Sequence, residues 1–120
     1  ARSADGLRWI ADQEACVCLE GDEFGLGRPW VVREQDRFAM WYSIRSRSSP
    51  YRIGYAESLD GRNWIRRDER VGIAASGTGW DSEMICYACV IDVDGTRLMF
   101  YNGNRHGASG FGWATLESDG

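Results

Sequence analysis

The sequence contains no lysine: all 14 basic side chains are arginine, set against 18 acidic ones for a formal net charge of −4. A nucleic-acid partner is therefore not expected, because polyanion binders concentrate basic excess on one face. Only two prolines and one histidine occur, and no apolar run nears the ~20 residues that a membrane-crossing helix needs. No apolar h-region follows the start, so no secretory leader is read and a cytoplasmic location is expected. There is no initiator Met, and the start reads as a trimmed chain or a fragment. No segment shows helical apolar periodicity over ten residues, so helix content should be very low.

What the chain has in quantity is 15 glycines and 15 aromatics, six of them tryptophan. Aromatics interleaved with glycines suit short strands joined by tight turns. Cys16-Val17-Cys18 and Cys86-Tyr87-Ala88-Cys89 invite a zinc reading, but the first pair has a single intervening residue. We read them as small core residues in a reducing compartment, with neither metal nor cofactor expected.

Self-similarity organises the rest. Ser3-Ala4-Asp5-Gly6-Leu7-Arg8-Trp9 and Ser58-Leu59-Asp60-Gly61-Arg62-Asn63-Trp64 share S-x-D-G-x-x-W, and a third copy begins at Ser118-Asp119-Gly120. Met40-Trp41-Tyr42-Ser43 matches Met99-Phe100-Tyr101-Asn102, and Trp30-Val31-Val32 matches Cys89-Val90-Ile91, both at an offset of 59 residues. Ile53-Gly54-Tyr55-Ala56 matches Phe111-Gly112-Trp113-Ala114. We read strands over 28–34, 38–44, 51–58 and 63–67, then over 87–93, 96–102 and 110–116, with 7–12 as a spare outer strand. Asp60-Gly61 and Asp94-Gly95 are expected to be hairpin turns, the former of type I′. The fold class is all-β: two four-stranded antiparallel propeller-blade modules in one domain, approximately 7–61 and 62–120, in a partial propeller or the protomer of an oligomeric one. A small sandwich is the alternative.

These motifs, above all I-G-Y-A before S-x-D-G-x-x-W and the run Trp80 to Ile91, resemble the five-bladed β-propeller glycoside hydrolase superfamily of arabinanases, β-xylosidases and invertases. The resemblance implies carbohydrate as the partner and a site in the central funnel, reached by loops entering the innermost strands. It also implies that two modules must combine with the remainder of a larger propeller or with further copies, as a dimer or trimer. Arg28-Pro29 resembles the Arg-Asp-Pro segment of the invertase branch without its acid.

Glycosidases use two carboxylates flanking the scissile bond. The acidic loops supply Asp22 and Glu23, and Asp81 and Glu83, with Glu83 the best general-acid candidate; the alternative is that Asp81, Ser82 and Glu83 cap a turn. Arg28, Asn102, Asn104, Arg105 and His106 offer directional groups for sugar hydroxyls, and Trp80 an apolar stacking plate. The bland readings are a polar loop and a packing tryptophan. Three functions fit: a glycosidase, a sugar-binding module, and a structural half-propeller.

Overall fold

The computed structural model describes residues 1–117, so the third motif copy at 118–120 lies outside the described residues. Strands β1 (Glu23–Arg33), β2 (Phe38–Ser46), β3 (Arg52–Ser58) and β4 (Ile65–Arg66) form one antiparallel sheet in that order. Strands β5 (Cys86–Val93), β6 (Thr96–Asn102) and β7 (Phe111–Thr115) form a second. The all-β expectation holds: two successive antiparallel sheets, open rather than closed into a barrel, compatible with partial propeller blades.

The sequence repeat reappears as register. Val31 pairs with Met40 and Met40 with Ala56, as Val90 pairs with Met99 and Met99 with Ala114. Trp30, Trp41 and Tyr55 align as do Cys89, Phe100 and Trp113. Because side chains alternate across a strand, matched register lets one face of the first sheet pack on the opposite repeat face of the second, Tyr101 being the counterpart of Tyr42 rather than of Trp41. Ala39, Trp41, Ile53 and Tyr55 of the first sheet meet Ala88, Val90 and Tyr101 of the second, with Ile85 just before β5, in the main core. The Trp30 indole N–H donates 2.8 Å to the Val90 carbonyl, tying β1 to β5. The other face of the first sheet buries Met40, Tyr42, Ile44 and Ala56, with Val17 and Trp64 packed over them.

The S-x-D-G motif is a side-chain-built loop. Ser58 Oγ accepts from the Gly61 N–H at 2.9 Å, and Asp60 Oδ1 accepts from the Arg62 and Asn63 N–H groups at 2.8 Å. Ser3 and Asp5 repeat this pattern on Gly6, Leu7 and Arg8. The expected type I′ turn at Asp60-Gly61 is corrected: Gly61 has φ +74°, but Asp60 does not share it, because its carboxylate holds the loop. Asp94-Gly95, at φ +49° and +79°, does form the two-residue turn between Val93 and Thr96.

Three strands differ from the sequence reading by more than two residues or in pairing. β1 starts at Glu23, because Gly25 and Gly27 pair with Arg45 and Ser43; glycine's poor strand propensity hid this half. The strand expected over 63–67 shrinks to Ile65–Arg66, since the side-chain loop consumes its start. The strand expected over 7–12 makes one bridge, Arg2 to Ile10, and pairs with neither sheet.

A half-buried polar network locks β4 and the turn after it. Glu23 accepts from both terminal nitrogens of Arg66, at 2.9 and 2.8 Å, and from Arg52 at 3.0 Å. Asp68 accepts from the Tyr42 hydroxyl at 2.5 Å, from the Tyr55 N–H at 2.9 Å and from Arg66. Burial alone would raise the Asp68 pKa, but these donors outweigh it and hold the carboxyl below its ordinary range.

Candidate functional site

The first strand of each sheet carries a bulge at the same repeat position. β1 is irregular between Gly27 and Trp30, with Arg28 at φ +49°; β5 is irregular between Cys86 and Cys89, with Tyr87 at φ +60°. Left-handed backbone is costly for residues with a Cβ, and such strain gathers where a side chain must be aimed. The Tyr87 bulge is held from the neighbouring sheet, where the fully buried Ser43 hydroxyl accepts its N–H at 2.9 Å.

A second strained element faces it. The turn Asn104–Gly107 places Arg105 at φ +53° and His106 at φ +58°. The Tyr51 ring meets His106 edge-on with centroids 4.6 Å apart, Tyr87 stacks on the imidazole at 6.3 Å, and Tyr51 and Tyr87 are 6.1 Å apart. Burial and the adjacent Tyr51 raise the Tyr87 pKa, so its hydroxyl stays protonated. Arg45, next to this group, lies over the Phe24 ring at 5.1 Å, with Arg47 over the same ring at 5.8 Å. Of the five left-handed non-glycine residues among the described residues, Tyr87, Arg105 and His106 thus sit on one rim, and Arg28 adjoins it, because its neighbour Gly27 pairs with the same Ser43 that holds Tyr87.

The residues expected from sequence divide here. Arg28, Arg105 and His106 are exposed on strained backbone at the rim. Asn104 is a clasp: Oδ1 accepts from the Glu83 and Met84 N–H groups at 2.8 and 3.2 Å, and Nδ2 donates to Ser82 Oγ at 2.9 Å and the Gly79 carbonyl at 3.3 Å. Asn102 Nδ2 donates to the His106 carbonyl at 3.1 Å, supporting the strained turn. Trp80 is half-buried and packs against the second sheet. Its ring stacks on Tyr101 at 5.2 Å, and a Cβ on Gly112 would come within 2.5 Å of it.

The four carboxylates are not equivalent. Glu23 is sequestered, its side chain 4% exposed, and donation from Arg66 holds its pKa below the usual range. Asp81 accepts from the Ser76 hydroxyl at 2.5 Å and the Tyr101 hydroxyl at 2.8 Å. Asp22 accepts from the Ser48 N–H at 2.7 Å. Glu83 is exposed, and no hydrogen bond or ion pair engages its carboxylate among the described residues. Tyr51, Tyr87 and Arg45 were missed in the sequence, although the 59-residue offset sets Tyr87 opposite the already singled-out Arg28. Among the described residues no group of three or more metal-ligating side chains converges, and Cys86, buried, has its thiol pushed up to about 11. No helix is long and apolar enough to cross a membrane among the described residues.

Two solved structures are similar in fold. The complex of BT0996 with RGII and a glycoside hydrolase each superpose with a TM-score of 0.61 at 25% identity, covering 79% of this chain and 28% of theirs. The fold is glycosidase-like. Curated relatives match by sequence: the uncharacterized protein Rv1502 of Mycobacterium tuberculosis (strain ATCC 25618 / H37Rv) is 40% identical over 119 residues. So is the uncharacterized protein MT1551 of strain CDC 1551 / Oshkosh. The chain spans 39% of the length of these relatives. No protein-family model matches it.

Proposed function

We propose that the protein binds carbohydrate at the rim formed by Tyr51, Tyr87 and His106, as two repeats of one glycosidase-like β-propeller unit. The observation that carries this reading is the coincidence of the strained bulge at Tyr87, the strained turn at His106 and the aromatic faces between them. Sugars present C–H faces that pack on aromatic rings and hydroxyls that need directional partners. The glycosidase-like neighbours support the same ligand class.

Recognition is favoured over hydrolysis by the carboxylates. Hydrolysis needs a pair, and of the four candidates Glu23 and Asp81 are committed to internal partners, while Asp22 holds a loop. Glu83 remains the acid to test, and the runner-up reading is a glycoside hydrolase whose second carboxylate comes from other blades. A glycan panel read by binding and by aryl-glycoside cleavage tests both. Tyr87→Ala and His106→Ala should each weaken binding about tenfold, ~1.4 kcal/mol. Binding unchanged in both variants contradicts the site, and cleavage abolished by Glu83→Gln establishes the hydrolase reading instead.

Assembly is the second part of the proposal. The outer face of the second sheet leaves Ile91, Val93, Phe111 and Trp113 exposed, and β7 has an open edge. Such a face and edge favour burial against further blades or a second copy, in a dimer or trimer. The solution mass of this chain tests the self-association: a multiple of 13.5 kDa is expected, and a cooperatively unfolding monomer contradicts it.

A further inference from the structure

Six of the 14 arginines form ion pairs with carboxylates among the described residues, and Arg28, Arg45 and Arg47 at the rim are not among them. In a chain of net charge −4, guanidinium groups without carboxylate partners at one place need a reason. Arg45 is held rather than waving. Its guanidinium lies on Phe24, and it runs so close over Gly25 that a Cβ there would fall 2.6 Å from Nε. Gly25 is thus the position that lets the side chain lie flat on β1. Arg28 is aimed by a left-handed bulge, a conformation for which the adjacent Gly27 would be the cheaper residue. Glu23 is taken by Arg66 and Arg52, and no carboxylate among the described residues forms an ion pair with Arg28, Arg45 or Arg47.

Building on the carbohydrate reading, we propose that this rim selects a glycan carrying an anionic substituent, a carboxylate, sulfate or phosphate, which Arg45 and Arg28 receive while Tyr51, Tyr87 and His106 hold the ring. A planar guanidinium binds two oxygens of such a group in parallel, with more geometric selectivity than an ammonium.

Glucose, glucuronate, glucose 6-sulfate and glucose 6-phosphate differ only at C6, and inorganic phosphate lacks the ring. Titrating each into ¹⁵N-labelled protein at low salt gives affinities and maps shifts to residues. At least one anionic sugar should bind about tenfold or more tightly than glucose, the worth of one charge-assisted contact. Which of the three does so names the substituent. The preference should vanish in Arg45→Gln and Arg28→Gln. It should also weaken in Gly25→Ala, which displaces only the flexible Arg45 head and keeps the fold. Glucose binding as tightly as every anion, with shifts at Tyr87 and His106, overturns this inference and leaves the carbohydrate reading intact. Inorganic phosphate binding as tightly as glucose 6-phosphate supports the anion site and contradicts the sugar reading. No binding of any probe by the folded protein overturns both.

Discussion

Asn104→Ala should loosen the site and the second sheet together. Asn104 satisfies the N–H groups of Glu83 and Met84 and donates to Ser82 and Gly79, so one amide fastens the loop entering β5 to the turn that carries His106. Truncation leaves the N–H of the buried Met84 without its acceptor. An orphaned buried donor costs about 1–3 kcal/mol, and the exposed Glu83 N–H recovers water, so a loss of about 2 kcal/mol is expected. With a urea slope of about 1–2 kcal/mol/M for a domain of this size, the midpoint should fall by about 1–2 M. Asn104→Asp retains the acceptor and loses only the donor, so it should lose about half as much. Urea denaturation followed by tryptophan fluorescence measures both, and amide exchange at Met84 should accelerate in the alanine variant alone. A midpoint shift under about 0.3 M for Asn104→Ala, roughly a quarter of that expected from the lost acceptor, would refute the clasp.

Gly54→Ala should destabilise by about 1–3 kcal/mol, because the added Cβ would meet the Tyr42 ring at 2.5 Å and Ile44 Cδ1 at 2.7 Å in a closed core; an unchanged melting temperature contradicts this. Glu23 and Asp68 have folded pKa values below their unfolded ones, so their stabilisation is present above pH about 4 and lost as pH falls through the folded values. The urea midpoint should therefore drop between about pH 5 and 3, less steeply in Arg66→Met, and a flat profile would contradict the network. Cys16 and Cys18 are exposed while Cys86 is buried with a raised pKa, so alkylation mapped by mass spectrometry should mark the first two quickly and Cys86 only on unfolding. Rapid native labelling of Cys86 would count against the core described above.

The repeat was legible because it is written twice in side chains that alternate in and out of a sheet. Met40 and Met99 sit at one register position, as their spacing implied. The S-x-D-G loops were legible as turns but not in their mechanism, which depends on Ser and Asp oxygens rather than on paired left-handed residues. The front half of β1 was lost because Gly25 and Gly27 read as loop, whereas close approach of Arg45 demands the missing side chain at Gly25. Glu23 and Trp80 looked functional by type. Only the fold could reveal that Arg66, sequence-distant, takes the Glu23 carboxylate, or that Gly103 and Gly112 make room for the indole. Tyr87 escaped because a bulge is a property of pairing between strands, and nothing in Cys-Tyr-Ala-Cys itself signals positive φ.

The central claim, that the Tyr51–Tyr87–His106 rim binds carbohydrate, is tested most directly by an NMR titration of the labelled protein with a panel of neutral and acidic oligosaccharides. Saturable shifts confined to Tyr51, Tyr87, the 103–110 loop and the neighbouring Arg45 are expected. Shifts confined to the exposed Phe111 and Trp113 face, or no saturable shift with any glycan while the protein stays folded, would contradict it.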